Sequence, residues 1–250
     1  LFAKHVLRIP LRLVFTTVAL RRHSFFPRFL LSKMDTIIAT THEASSYVDR
    51  CDAIIPHGID TEVFTPPEDK LAAWQQSGLP GKYGIGIFGR IRAEKGTDLF
   101  VEAMCRLLPK YPEFTAIIAG HCKSKDIPFK EALKKKLSDA GIEDRVIWLG
   151  QVSADERHLW FQRIAVCVAP PRYEGFGLTP VEAMSCGATV VATRTGIFPT
   201  LIEGGKTGYV VDVGDTDSLV KALDSCLINP AEIIQQGQAG REHVCRYYDI

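Results

Sequence analysis

Lys82-Tyr83-Gly84-Ile85-Gly86-Ile87-Phe88-Gly89-Arg90-Ile91-Arg92-Ala93-Glu94-Lys95-Gly96 reads as an apolar run of strand length, a glycine and a charged turn. Leu99, Phe100, Ala103, Met104, Leu107 and Leu108 then recur at helical spacing. Strand, loop and helix in that order make the βα unit of a parallel sheet. The alternation continues, and strands are predicted at 83–88, 115–119, 146–149, 165–169, 189–192 and 208–211. The amphipathic segment 127–140 stops at Gly141, as a helix should. Six strands with intervening helices predict an α/β, doubly wound, Rossmann-like domain over residues 82–250.

Upstream, 13–16 and 36–40 read as strands with a basic helix between them. Two strands cannot close a stable sheet alone. Residues 1–56 are therefore expected to be the tail of a preceding α/β domain, joined to the complete one through Pro56-His57-Gly58 and Pro66-Pro67.

At 250 residues, 46% hydrophobic and 24% charged, the chain can bury a substantial core. Its net charge of +1 hides an asymmetry: residues 1–34 hold seven Lys/Arg and no Asp/Glu, leaving −6 for residues 35–250. Such a basic start has three readings, an organelle transit peptide, an anionic partner or a solvated face. A nucleic-acid partner is not expected. No apolar run approaches the ~20 residues a membrane-spanning helix needs. The stretch 13–20 is flanked by Arg12, Arg21 and Arg22 and reads as a buried strand and its loop. Seven cysteines without a Cys-x-x-Cys pair suit buried thiols in a reducing cytosol. His121 and Cys122 are the only adjacent His/Cys pair and lack further ligands at sensible spacing, so no metal is expected.

Gly84-x-Gly86-x-x-Gly89 satisfies the dinucleotide-binding pattern to the letter. That mechanism needs its glycines in the turn after a strand. Here they lie within the apolar run, and the segment 75–81 before it is a turn, so a nicotinamide cofactor is disfavoured. The informative residues come next. Arg90 and Lys95 stand five apart in the loop leaving a strand's carboxyl end, where doubly wound sheets bind ligands. A guanidinium forks onto two phosphate oxygens and an ammonium adds a compact charge, so the pair suits a diphosphate; surface cations on a solvated turn are the plainer alternative.

A second loop, Pro170-Pro171-Arg172-Tyr173-Glu174-Gly175-Phe176-Gly177-Leu178-Thr179-Pro180-Val181-Glu182, follows a later strand. Its glycines permit close backbone approach, and a helix starting near Leu178 aims its positive end at the same space. Glu174 and Glu182 supply carboxylates for the hydroxyls of a sugar and a ribose, or else act as one capping and one exposed helical acid. Asp215-Thr216-Asp217 looks like a metal-binding Asp-x-Asp, yet its place before Leu219, Val220 and Leu223 predicts a helix cap.

Gly-Arg-x4-Lys, followed about eighty residues later by Glu-Gly-Phe-Gly-Leu-x-Pro-x-Glu-Ala-Met, resembles the donor site of the retaining group-4 (group 1) GT-B glycosyltransferases. The resemblance runs from Ile37 to Tyr248, through Pro56-His57-Gly58-Ile59-Asp60 and Asp144-Arg145-Val146-Ile147-Trp148-Leu149-Gly150. The 169–180 wording and Val14-Phe15-Thr16-Thr17 look most like bacterial lipopolysaccharide-core mannosyltransferases.

The resemblance implies that Arg90 and Lys95 hold the donor diphosphate and stabilise the charge growing on it, and that Glu174 faces the donor sugar as the third catalytic residue. Gly89, Gly175 and the backbone N–H groups of Phe176, Gly177 and Leu178 would lie beside it, Glu182 would bind the ribose, and Gln151 and Val152 would lie near the base. It further implies transfer of a hexose, expected to be mannose from GDP-mannose, with retention and with neither metal nor cofactor. The acceptor would be a lipid-linked saccharide or lipopolysaccharide core, reached in the cytoplasm with peripheral contact at the anionic inner face of the plasma membrane. Residues 1–56 would then be the remnant of the acceptor-binding domain, 57–81 the interdomain linker and lead-in segment, and 82–250 the donor-binding domain. Thr16-Thr17-Val18 stands where the family has Thr-x-His, with His23 a substitute or a surface residue. The chain is expected to be incomplete at both ends and to bind donor without efficient transfer. A non-catalytic nucleotide-sugar-binding module and a GT-B nucleotide-sugar epimerase are the alternatives, the epimerase disfavoured by the paired-Glu loop.

Overall fold

The computed structural model describes residues 11–18, 20–22 and 24–250. By contacts the chain divides into two units, Leu1–His57 with Glu174–Phe176, and Gly58–Tyr173 with Gly177–Ile250.

In the first unit, β1 (Val14–Thr17), β2 (Thr36–Ala39) and β3 (Ala53–Ile54) form a parallel sheet in that order. Sequence patterning missed β3, because two residues carry no periodicity. Asp52 fixes it, accepting from the Ile37 N–H at 2.8 Å, and the Ile55 N–H donates to the Ala39 carbonyl. The basic helix is α1 (Phe25–Leu31), which has no buried residue, and α2 (His42–Ser45) follows β2. The core is small, with Leu20, Ala39 and Ala44 packed by Tyr47 and Cys51. The expectation of a buried strand at 13–20 is corrected: Val14 is exposed, since β1 sits at an edge of this short sheet.

The second unit contains β4 (Tyr83–Phe88), β5 (Phe114–Ala119), β6 (Val146–Gly150), β7 (Ile164–Ala169), β8 (Thr189–Thr193) and β9 (Gly208–Val211). They pair in the order β6-β5-β4-β7-β8-β9, every pair parallel. Helices α4 (Thr97–Leu107), α5 (Ile127–Asp139) and α9 (Thr216–Leu227) pack their apolar stripes into one continuous core with Ile85, Ile87, Ile118 and Val166. The remaining helices are α3 (Lys70–Gln75), α6 (Ala154–Arg163), α7 (Leu178–Ser185), α8 (Phe198–Leu201) and α10 (Pro230–Tyr247), and α7 packs on α10. Parallel strands buried on both faces explain why their sequences are continuous apolar runs without alternation.

Gly84 and Gly86 lie inside β4, as the rejection of a dinucleotide motif requires. A Cβ on Gly84 would collide with the ring of the fully buried Trp74, and one on Gly86 with the Phe88 ring. Their role is to admit aromatic rings against the sheet.

The segment before β4 is more firmly built than a linker. Trp74 Nε1 donates to the Pro80 carbonyl at 3.2 Å. Lys70 Nζ donates to the carbonyls of Cys186, Ile164 and Phe161 at 2.8, 3.1 and 3.4 Å, at the ends of α6 and α7, where helix dipoles favour a cation. Burial of that ammonium lowers its pKa to about 7. Arg241 of α10 donates to the carbonyls of Phe64, Ser185 and Thr61. Asp249 accepts from the Thr61 hydroxyl at 2.7 Å, and the Ile59 N–H donates to the Tyr248 carbonyl, so the last residues close onto the first of this unit.

Candidate functional site

Strand order locates the site. From β4 the chain winds one way through β5 and β6, then returns to β4's other side and winds through β7, β8 and β9. The topological switch falls between β4 and β7, and doubly wound sheets bind ligands outside the carboxyl ends of the strands at such a point. The two loops singled out by sequence are the ones leaving these two strands.

The loop after β4 begins at Gly89, whose φ of 146° and open surroundings keep the strand end clear of side chains. Arg90 is exposed and has no hydrogen bond or ion pair among the described residues. Lys95 is half-buried and ends a 3-10 turn, Ala93–Lys95. Gly120, after β5, sits against the Gly89 carbonyl with no room for a Cβ, and its N–H donates to the Gly150 carbonyl at 2.6 Å. Glycines thus line the carboxyl ends of β4, β5 and β6. Gln151 and Val152 follow β6, two strand spacings from β4, about 9–10 Å.

The loop after β7 is clipped to the first. The Arg172 N–H donates to the Glu94 carbonyl at 2.9 Å, and its guanidinium donates to the Ala93 carbonyl and forks onto Asp98 at 2.9 and 2.7 Å. Gly96 fits flush against Pro170, where a Cβ would enter the carbonyl oxygen. From β8, the Thr193 hydroxyl donates to the Pro171 carbonyl at 2.6 Å.

The helices leaving the two loops start alike. α4 follows Gly96 at φ 72° and α7 follows Gly177 at φ 101°, and neither has a side-chain cap. Side chains cap α3, α6 and α9 through Asp69, Ser153 and Asp215, while α1, α5, α8 and α10 also have none, so it is their place beside the switch that sets the starts of α4 and α7 apart. First-turn N–H groups without an internal partner, at the positive end of a helix, make an anion site. The cap on α9 accounts for Asp215, while Asp217 pairs with Arg106 at 2.6 Å, so Asp-Thr-Asp has a structural explanation.

Glu182 lies within α7 and is 8% exposed, so the alternative of an exposed helical acid fails. Arg157 of α6, a residue that no sequence motif marked, reaches its Oε1 at 3.2 Å. Burial pushes the Glu182 carboxyl up from its ordinary value, and the Arg157 charge opposes that rise. Glu174, Gly175 and Phe176 group with the first unit. There Glu174 Oε1 accepts from the Gly175 N–H at 3.2 Å, Gly175 lies beneath the Val18 carbonyl, and the Phe176 ring meets His57 edge-on at 4.8 Å. His23 lies outside the described residues. Arg145 of the Asp-Arg-Val segment is structural, donating to the carbonyls of Leu108, Tyr111 and Phe114.

This arrangement coincides with a family match: the profile of "Glycosyl transferases group 1" fits residues 72–243. The chain belongs to the group 1 glycosyltransferases. Two curated relatives are similar over most of it. The lipopolysaccharide core biosynthesis mannosyltransferase LpcC of Rhizobium leguminosarum bv. viciae is 40% identical over 96% of this chain and 68% of its own length. LpsB of Rhizobium meliloti (strain 1021), of the same description, is 42% identical over 88% of this chain and 63% of its own length. The chain thus spans about two thirds of these group 1 relatives. Among solved structures, the C-terminal domain of a group 1 family protein (LpcC) from Francisella tularensis superposes with a TM-score of 0.74 at 36% identity, covering 77% of this chain and all of that one. The second unit therefore has the parallel α/β fold of GT-B C-terminal domains. Among the described residues, no helix is long and apolar enough to cross a membrane.

Proposed function

We propose that this group 1 glycosyltransferase moves mannose from GDP-mannose onto a lipid-linked lipopolysaccharide-core acceptor, with retention of configuration and without a metal. One observation carries the donor-binding part: both motif loops leave the strands flanking the topological switch and are clipped together at Arg172, with two uncapped helix starts beside them. In this reading Arg90 and Lys95 hold the diphosphate, α7 adds backbone N–H groups at Gly177 and Leu178, Glu182 receives the ribose, and Gln151 and Val152 border the base. Glu174, Gly175 and Phe176 are assigned to the donor sugar by their motif alone. The sugar and the acceptor class are supported by the descriptions of the two rhizobial relatives.

Titration calorimetry with GDP, UDP and ADP tests the core of this proposal. GDP is expected to bind at least about tenfold more tightly than the others, a gap of ~1.4 kcal/mol. Equally weak binding of all three to a folded sample would count decisively against it.

Cytoplasmic placement with peripheral membrane contact is the proposed setting. Arg12, Arg21, Arg22 and Lys33, with exposed Phe25, Phe26 and Phe29, give the first unit a basic, aromatic surface that supports it. Co-sedimentation with anionic vesicles is expected, fading as salt shortens the Debye length; association that ignores salt would contradict an electrostatic contact.

A further inference from the structure

Arg157 has no place in the donor motifs, yet its geometry ties it to one of them. Its Nη2 lies 3.2 Å from Glu182 Oε1, while Oε2 accepts no hydrogen bond among the described residues. The guanidinium's Nε is buried without a partner, so this edge of Arg157 is fixed by no other protein acceptor. The Glu182 side chain is 10% exposed and that of Arg157 35%, so the pair is only partly screened.

The surroundings of Glu182 leave the task of charge compensation to Arg157. Cys167 from β7 and Cys186 after α7 feel the Glu182 charge, and burial raises both thiols to about 12, so they stay neutral. Lys70 from α3 and Arg241 from α10 act on Cys186. Among the causes that move the Glu182 carboxyl, burial raises it and Arg157 is the opposing charge. A vicinal diol donates two hydrogen bonds. An ionised carboxylate has free lone pairs to accept them, whereas a protonated one loses an acceptor and offers a donor instead.

We infer that Arg157 is a positioning residue of the donor site: it holds one oxygen of Glu182 in a charged pair and leaves the other for the vicinal hydroxyls of a ribose. The inference rests on Glu182 being the ribose ligand. It gives the α6 segment, which follows the base-side residues Gln151 and Val152, a direct part in donor affinity.

The test is donor binding by calorimetry from pH 5.5 to 8.5, using GDP-mannose and UDP-glucose, whose esterified diphosphates carry no titrating proton in that range. Wild type, Arg157→Gln, Arg157→Lys and Glu182→Gln are compared on the full chain. Wild-type affinity is expected to fall on the acid side. In Arg157→Gln that fall begins at higher pH, so binding at the acid end of the range weakens about tenfold while binding at pH 8.5 changes less than about threefold. Arg157→Lys restores most of the acid-side affinity because the charge is retained. Glu182→Gln binds weakly at every pH, and adding Arg157→Gln to it has no further effect. A uniform loss in Arg157→Gln across the pH range, or an unmoved acid limb, overturns the inference while leaving the donor site standing. Normal binding by Glu182→Gln removes Glu182 as the ribose ligand and the inference with it, while failure of wild type to bind either sugar nucleotide removes the donor-site proposal itself.

Discussion

Replacing Arg90 with alanine is expected to lower sugar transfer by about 100- to 1000-fold, the usual cost of deleting one preorganised donor to developing charge. Stability should be nearly untouched, because Arg90 is exposed and its charge is the least of the causes acting on the exposed Glu94 carboxylate. The physical argument is positional. Arg90 leaves β4 directly after a glycine with open space around it, at the carboxyl end of the strand beside the topological switch. A diphosphate there meets an exposed guanidinium whose interaction with the exposed Glu94 carboxylate is a weak one, so little existing attraction has to be given up. Steady-state rates and nucleotide affinity, measured on variant and wild type with matched thermal melts, decide the matter. A rate within about threefold of wild type would mean that the leaving diphosphate is held elsewhere.

Gly96→Ala should produce a large loss of stability. Gly96 adopts φ 72°, a left-handed conformation that costs an alanine roughly 1–2 kcal/mol. Its Cβ would also be driven into the Pro170 carbonyl, which is backbone and cannot rotate away. Forced displacement of packed backbone adds about 1–3 kcal/mol. The sum, about 2–5 kcal/mol, corresponds to a melting temperature lower by roughly 5–15 °C. Gly141→Ala separates the two contributions, since Gly141 has φ 66° with open space around it. That control should lose only the conformational part, about 1–2 kcal/mol. Because Gly96 is where the Arg90 loop seats on the Arg172 loop, donor affinity should fall in Gly96→Ala and hold in Gly141→Ala. Equal losses in the two variants would show that the contact with Pro170 is unimportant.

The sequence by itself determined the six strands of the second unit to within a residue or so at each end, because parallel strands buried on both faces are short apolar runs broken by glycine and charge. It also determined that Gly84 and Gly86 belong inside a strand, and that Asp215 caps a helix. Both are local facts, decided by the few residues on either side. Tertiary structure decided the rest. That β4 and β7 are neighbours, with the direction of winding reversing between them, depends on pairings some eighty residues apart that no local pattern encodes. β3 escaped notice because two residues have no periodicity, and its pairing is fixed by Asp52 reaching a neighbouring strand. Arg157 was invisible because it belongs to no motif; only the packing of α6 against α7 brings it to Glu182. Side-chain type states what chemistry is possible, but which charges share a low-dielectric space is settled by chain crossings, and those exist only once the sheet has formed.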